Sequence, residues 1–257
     1  MRRTSLRVTA TVLSVTAVGA VFLVPTSASA AGTLTVRGSD RSGGYIRSHA
    51  PGSTASENVR AVFTVPTASC SALPASGGQV TIGAGVDGTV RYSKVRLQAG
   101  VLIGCASKTA APKYQIFWAQ APTGPRILGT TKPGHEIYVF VSSDADQPVN
   151  VNDNTTDVLY SGSTFAYATD HSSVQCLVGA TLSRAGAVLP MPAFGTVTFT
   201  SCLDFGGPTA DREVADPASA RSGESTYQVR NDIGHVRATT SARKANGSWG
   251  VTWVAAS

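Results

Sequence analysis

One glutamine, Gln98, stands in the strand-like run VRYSKVRLQAGVLI, where alternation puts Lys94, Arg96, Gln98 and Gly100 on one face and Val95, Leu97, Ala99 and Val101 on the other. A side-chain amide can donate a hydrogen bond to a developing oxyanion, but it cannot take up a proton at useful pH. The Gln98 amide can therefore donate to or accept from a polar ligand, but it is not a base. Same-face neighbours on a strand lie about 7 Å apart, so whatever surface Gln98 faces Arg96 and Lys94 would face too, and that surface would favour an anionic ligand. The same two cations also suit a solvated strand edge that discourages pairing.

Other reactive residue types do not gather in the sequence. The four histidines, His49, His135, His171 and His235, are scattered, and none has a zinc spacing such as H-E-x-x-H, so neither a metal nor another cofactor is expected. There is no G-x-S-x-G, no glycine-rich phosphate loop before a helix, and no basic run with interleaved aromatics, which argues against a nucleic-acid partner. Asp170-His171 could join a serine in space, but a lone Asp-His dipeptide is ordinarily a loop. Trp118, Trp249 and Trp253 could stack on sugars, yet Trp249, Val251 and Trp253 share one face in the manner of a buried terminal strand. Asn154-Thr155-Thr156 and Asn246-Gly247-Ser248 fit glycosylation sequons and turns equally well.

The elements that must position Gln98 are strands. From about residue 58 onward the chain alternates β-branched and aromatic residues with polar ones, punctuated by Gly, Pro, Asn and Asp. In GHEIYVFVSS, Ile137, Val139 and Val141 oppose Tyr138 and Phe140, as in a strand covered on both sides. In FGTVTFTSC, Thr196, Thr198 and Thr200 alternate with Val197 and Phe199, as in a strand with one wet face. So many strands imply an all-β, two-sheet antiparallel sandwich. The stretch from Leu203 to Gly223 is rich in Pro, Gly and Ala and is expected to be a long loop.

Residues 1–30 have the pattern of an export signal: Arg2, Arg3 and Arg7, an apolar stretch from Val8 to Val24, then Ala28-Ser29-Ala30. Cleavage after Ala30 would leave 227 residues, enough for one large β domain over 31–257, with 18 basic against 15 acidic residues. That small excess argues little for nucleic acid, and no later segment is long and apolar enough to cross a membrane. A secreted, monomeric protein is expected. In an exported chain Cys70, Cys105, Cys176 and Cys202 suggest two disulfides, with neighbour pairing preferred among three connectivities.

Ordered landmarks along the chain resemble the glutamic peptidases, the eqolisin family of acid-acting endopeptidases. They are GGY at 43–45, FTVP at 63–66, GAGVDG at 83–88, LQAG at 97–100 and YQIFWAQAP at 114–122, followed by PGHEIYVFV at 133–141, NDNTT at 152–156, VQCLVG at 174–179 and FGTVTF at 194–199. The resemblance implies a lectin-like (concanavalin-like) jelly-roll sandwich with a substrate groove on one sheet. It also implies a mechanism in which a glutamate is general base on a water while the glutamine, here Gln98, holds that water and stabilises the oxyanion. Against the family's A-E-W/F-I-x-E strand, VQCLVG places Gln175 and Gly179 where two acids stand, with Gly179 at the catalytic position.

His171 through Leu203 contains no Asp or Glu at all. Gln115 and Ala119 replace two further acids, and Gly83 replaces a tryptophan. Asp87, Tyr114 and Gln98 survive, Asp87 being equally a turn residue before glycine. The expected groove residues are thus Asp87, Lys94, Arg96, Gln98, Tyr114, Gln115 and Gln175. The expected function is a family member with impaired catalysis, or a noncatalytic module for an anionic peptide or polysaccharide. Glu57, Asp87 or Asp153 could supply a substitute base.

Overall fold

The computed structural model describes residues 34–38, 42–50, 58–86, 97–120, 123–143, 149–162, 172–181, 188–205, 211–220, 224–230 and 238–254. The export-like segment, Asp87, Lys94, Arg96, Glu57 and Asp170-His171 lie outside them. In chain order the strands are β1 (Leu34–Gly38), β2 (Ser42–Ser48), β3 (Asn58–Thr64), β4 (Gly78–Val86), β5 (Leu97–Cys105) and β6 (Lys113–Gln120). There follow β7 (Arg126–Thr130), β8 (Glu136–Ser142), β9 (Val149–Asp153), β10 (Val158–Gly162) and β11 (Ser173–Ala180). The last are β12 (Thr196–Asp204), β13 (Arg212–Glu213), β14 (Ser225–Arg230), β15 (Ala238–Thr240) and β16 (Trp249–Trp253).

The strands form two sheets, one ordered β1-β14-β2-β11-β4-β5-β6-β7 and the other β10-β9-β8-β3-β12-β16-β15, with β13 paired to β12. Every pairing is antiparallel except β1 with β14. The expected sandwich is therefore the observed one. The tail strands divide between the sheets, β14 joining the first and β15 and β16 the second.

Alternation decides which residues fill the layer between the sheets. Leu97, Ala99, Val101 and Ile103 of β5, Val80, Ile82 and Ala84 of β4, and Val174, Cys176 and Val178 of β11 are buried there against Val59, Ala61 and Phe63 of β3 and Val197 and Phe199 of β12. Aromatic rings join the layers: Trp249 stacks on Phe199 with centroids 4.3 Å apart and meets Tyr45 of the opposite sheet edge-on at 4.9 Å. Fully burying each such side chain contributes about 1.5 to 3 kcal/mol, so Trp249 packs in the core as its pattern predicts. Thr196, Thr198 and Thr200 are exposed between buried Val197 and Phe199. Tyr138 and Phe140 are only half-buried, so the outer face of β8 is less covered than its sequence suggests.

Both disulfides follow neighbour pairing. Cys70 bonds Cys105 within one edge of the fold, while Cys176 on β11 bonds Cys202 on β12 and ties the two sheets together.

The stretch from Leu203 onward is more structured than a long loop. Leu203 and Asp204 complete β12 and pair with Glu213 and Arg212, and a 3-10 turn at Pro217–Ser219 starts from Asp216, whose carboxylate accepts from Ala218 N. The reason lies in another strand: fully buried Arg47 of β2 donates to the carbonyls of Glu213 and Asp216, each at 2.7 Å, and to Ser219 Oγ at 2.8 Å. A buried guanidinium needs acceptors, and this polar segment supplies them. Arg212 pairs with Asp204 and Glu224 beside it.

Glu213 sits in that cluster with its carboxyl pushed up to about 7 by burial, against the pull of Arg243 and Arg47. The folded state then holds a proton between the ordinary carboxyl value of 4.5 and about 7 that the unfolded chain releases, so stability falls as pH rises through that window. Glu213→Gln should raise the melting temperature at pH 8 and leave it nearly unchanged at pH 4. An equal gain at both pH values in thermal unfolding would sink this account.

Candidate active-site groove

The outer face of the first sheet, the face turned away from the core, carries Gln98. The strand register places Ala119, Gln98, Gly85, Gln175, Ile46 and Tyr227 side by side across β6, β5, β4, β11, β2 and β14. Gln98 and Gln175 thus flank a glycine. Their backbones are two strand spacings, roughly 10 Å, apart, and no side chain at position 85 fills the gap between the two amides. Gln98 is half-buried and Gln175 is only 2% exposed.

The next row along the groove is Phe117, Gly100, Gly83, Leu177, Gly44 and Val229, and the one after it contains Gln115, Leu102, Thr81, Gly179 and Ser42. Gly100 has φ +150°, and a Cβ there would overlap the carbonyl oxygen of Ile82; one at Gly83 would overlap that of Ala99. The backbones of β4 and β5 therefore approach too closely for side chains at this crossing, so positions 83 and 100 beside the row of Gln98 carry none. This is also why a tryptophan does not fit at Gly83.

These rows relocate several sequence expectations. Gln115 shares the outer face of the sheet with Gln98, two rows away. Tyr114 is not: it pairs with Ile103, points to the inner face, packs against the core, and its hydroxyl accepts a hydrogen bond from Ala68 N at 2.8 Å. Adjacent strand residues face opposite ways, so Tyr114 and Gln115 cannot both line one groove. Gly179 shares the face of Gln175 but lies four residues farther along β11, opposite Thr81 and Ser42, roughly 13 Å from the row of Gln98. On β11 the residue in the row of Gln98 is Gln175. Sequence alone misses this because two same-face positions on one strand differ only in their cross-strand register.

The electrostatics of the face are set by what its strands lack. None of the eight strands of this sheet contains an Asp or Glu. Among the described residues every carboxylate belongs to the second sheet, its loops or the cluster around Arg47. Gln98 thus has amide, glycine, aliphatic and, at the far end, tyrosine neighbours in its row.

Asp153, one candidate for a substitute base, is committed elsewhere. It is buried on β9 of the second sheet, where Thr131 Oγ1 donates to its Oδ2 at 2.7 Å and His135 Nδ1 lies 2.7 Å from the same atom. Burial opposes its ionisation, but the hydrogen bonds from His135 and Thr131 outweigh that and hold its pKa below the ordinary aspartate value. His135, which stands without companions in the sequence, is thereby a structural residue. Asn154 sits in the turn after β9 and donates to Glu136 Oε1 at 2.9 Å, in keeping with the turn reading of its sequon.

One further cluster has metal-ligand chemistry: the ligand atoms of His49, Asp204 and Glu224 lie within 4.8 Å of one another. Arg212 pairs with both carboxylates, so the trio already has a cation.

Two large, mostly antiparallel sheets packed as a sandwich, with a glutamine on the outer face of one, make the arrangement that the sequence resemblance implies. The chain belongs to the Peptidase A4 family, whose family model matches residues 40–247. It is similar in fold to scytalido-glutamic peptidase solved with a transition state analog inhibitor, with a TM-score of 0.59, 16% identity, and 84% of this chain and 98% of that chain covered. It is also similar to SCP-B, a member of the eqolisin family solved with the tripeptide Ala-Ile-His, with a TM-score of 0.54, 15% identity and the same coverage. None of the curated proteins compared with the chain is a match.

Proposed function

We propose that this chain is a secreted Peptidase A4 family protein whose groove holds extended polypeptide but does not hydrolyse it efficiently, because the partner facing Gln98 is an amide. The observation that carries the reading is the row Gln98, Gly85, Gln175 in a sheet whose strands contain no carboxylate. Two carboxamides across a bare glycine can donate to and accept from a peptide backbone, but neither can remove a proton from water. The impairment is thus assigned to Gln175 rather than to Gly179. Two disulfides, formed without a free cysteine, support an oxidising, extracytoplasmic setting.

A strand face without acids also leaves negative charge on a bound polymer unopposed, so acidic segments suit the groove better than basic ones. The purified chain should show no appreciable pepstatin-insensitive cleavage of denatured protein at acidic pH, followed by gel and mass spectrometry. Robust cleavage that disappears in Gln98→Ala would overturn the proposal and establish a base elsewhere.

A further inference from the structure

The second sheet carries a cleft, lined by both polar and apolar surface, that the chemistry of the first sheet does not use. Its volume is about 480 Å³, and it is lined by Tyr138, Asn150, Asn152, Asn154, Asp157 and Leu159. Val149, Val151 and Asp153 of β9 are buried, so Asn150 and Asn152 face outward and Asn154 follows at the turn. Asn150 and Asn152 are therefore spaced about 7 Å apart along the strand, and the carboxamide of Asn154 comes up against that of Asn152. The register sets Asn152 between Tyr138 of β8 and Leu159 of edge strand β10, so a ring and an aliphatic side chain flank the central amide. Leu159 is 62% exposed, a large apolar side chain left in the open beside polar groups.

The amides are held in place by hydrogen bonds: Asn152 Nδ2 donates to Asn154 Oδ1, Asn154 Nδ2 to Glu136 Oε1, and Ser161 Oγ to Asn150 Oδ1, each at 2.9 Å. Asn152 Oδ1, shielded from solvent, has no hydrogen-bond partner among the described residues. A buried acceptor of this kind calls for a donor. Among the described residues the lining has no cation and one carboxylate, Asp157, held in a left-handed turn with φ 56°. Fixed amides and one carboxylate suit hydroxyl groups that both donate and accept, while Tyr138 and Leu159 suit an apolar C–H face. A pyranose offers both, and the single negative charge disfavours an anionic ligand.

We propose that this cleft binds a neutral saccharide chain along β9, independently of the groove on the first sheet. The test is affinity electrophoresis under cationic native conditions through gels holding hydroxyethylcellulose, glycol chitin, xylan or galactomannan. The chain should be retarded by at least one polymer, and Asn152→Ala, Tyr138→Ala and Asn154→Ala should each weaken that retardation by about tenfold or more in apparent affinity. Gln98→Ala should leave it unchanged, and melting curves of the variants verify that each is folded. Mobility unaltered by all four polymers overturns the proposal. So does retardation that survives Asn152→Ala and Asn154→Ala, or that is lost in Gln98→Ala instead.

Discussion

Gln175→Glu is expected to turn the groove into a working peptidase site, whereas Gly179→Glu is not. A carboxylate at position 175 would face the Gln98 amide across Gly85, with room between them for a water that the new glutamate could deprotonate and the amide could steady. A positioned general base contributes about 10²- to 10⁴-fold, so cleavage of denatured protein should rise by that order over the parent chain. Gln98→Ala in the same background should remove most of the gain. The pH dependence has a defined sign: only the ionised form is a base, and burial, with no cation in the row of Gln98 among the described residues, raises a carboxyl pKa above its usual value of about 4.3. Activity should therefore grow as pH rises through that raised value instead of peaking in strong acid. If Gly179→Glu gained activity and Gln175→Glu did not, the row assignment and the proposed cause of impairment would both fail.

The legible and illegible parts of this chain divide along one physical line. Alternation is local, so the core face of β5, the exposed threonines of β12 and the burial of Trp249 follow from the sequence. Cross-strand register is not local. Gln175 and Gly179 are equivalent by alternation, and only the pairing of β11 with β4, and of β4 with β5, shows which one shares the row of Gln98. Tyr114 was readable, since it is adjacent to Gln115 and period two forbids both on one face. Motif resemblance placed them together and pointed the wrong way.

Long-range polar partners were hidden for the same reason. Nothing near Arg47 in sequence announces that its guanidinium fastens Glu213, Asp216 and Ser219, which turns a Pro- and Ala-rich stretch from expected loop into a strand, a 3-10 turn and an ion-pair cluster. His135 and Asp153 are likewise distant in the chain, although each lies within one of the motifs that carry the family resemblance. Their joining at 2.7 Å places the one described candidate for a substitute base in the second sheet.

Removing the inter-sheet disulfide by Cys176→Ala with Cys202→Ala should destabilise the protein more than removing Cys70–Cys105 by the same double substitution. Chain entropy alone predicts the reverse order: the sequence separations are 26 and 35, and the longer loop should yield the larger effect, about 3.8 against about 3.5 kcal/mol. Packing reverses the ranking. Cys176 and Cys202 are both fully buried in the main core between the sheets, so their loss also leaves unfilled core volume, while Cys70 and Cys105 share a small separate cluster with Leu73. A loss of roughly 4 to 5 kcal/mol is a large share of a domain stability of about 5 to 15 kcal/mol. At about 2 to 4 °C per kcal/mol for a domain of this size, the inter-sheet variant should melt roughly 8 to 20 °C below the parent. Thermal unfolding of the two variants, each verified by mass to retain the other bridge, decides the matter. A larger drop for the Cys70–Cys105 variant would mean that loop closure in the unfolded chain, and not the joining of the two layers, is what the bridges chiefly contribute.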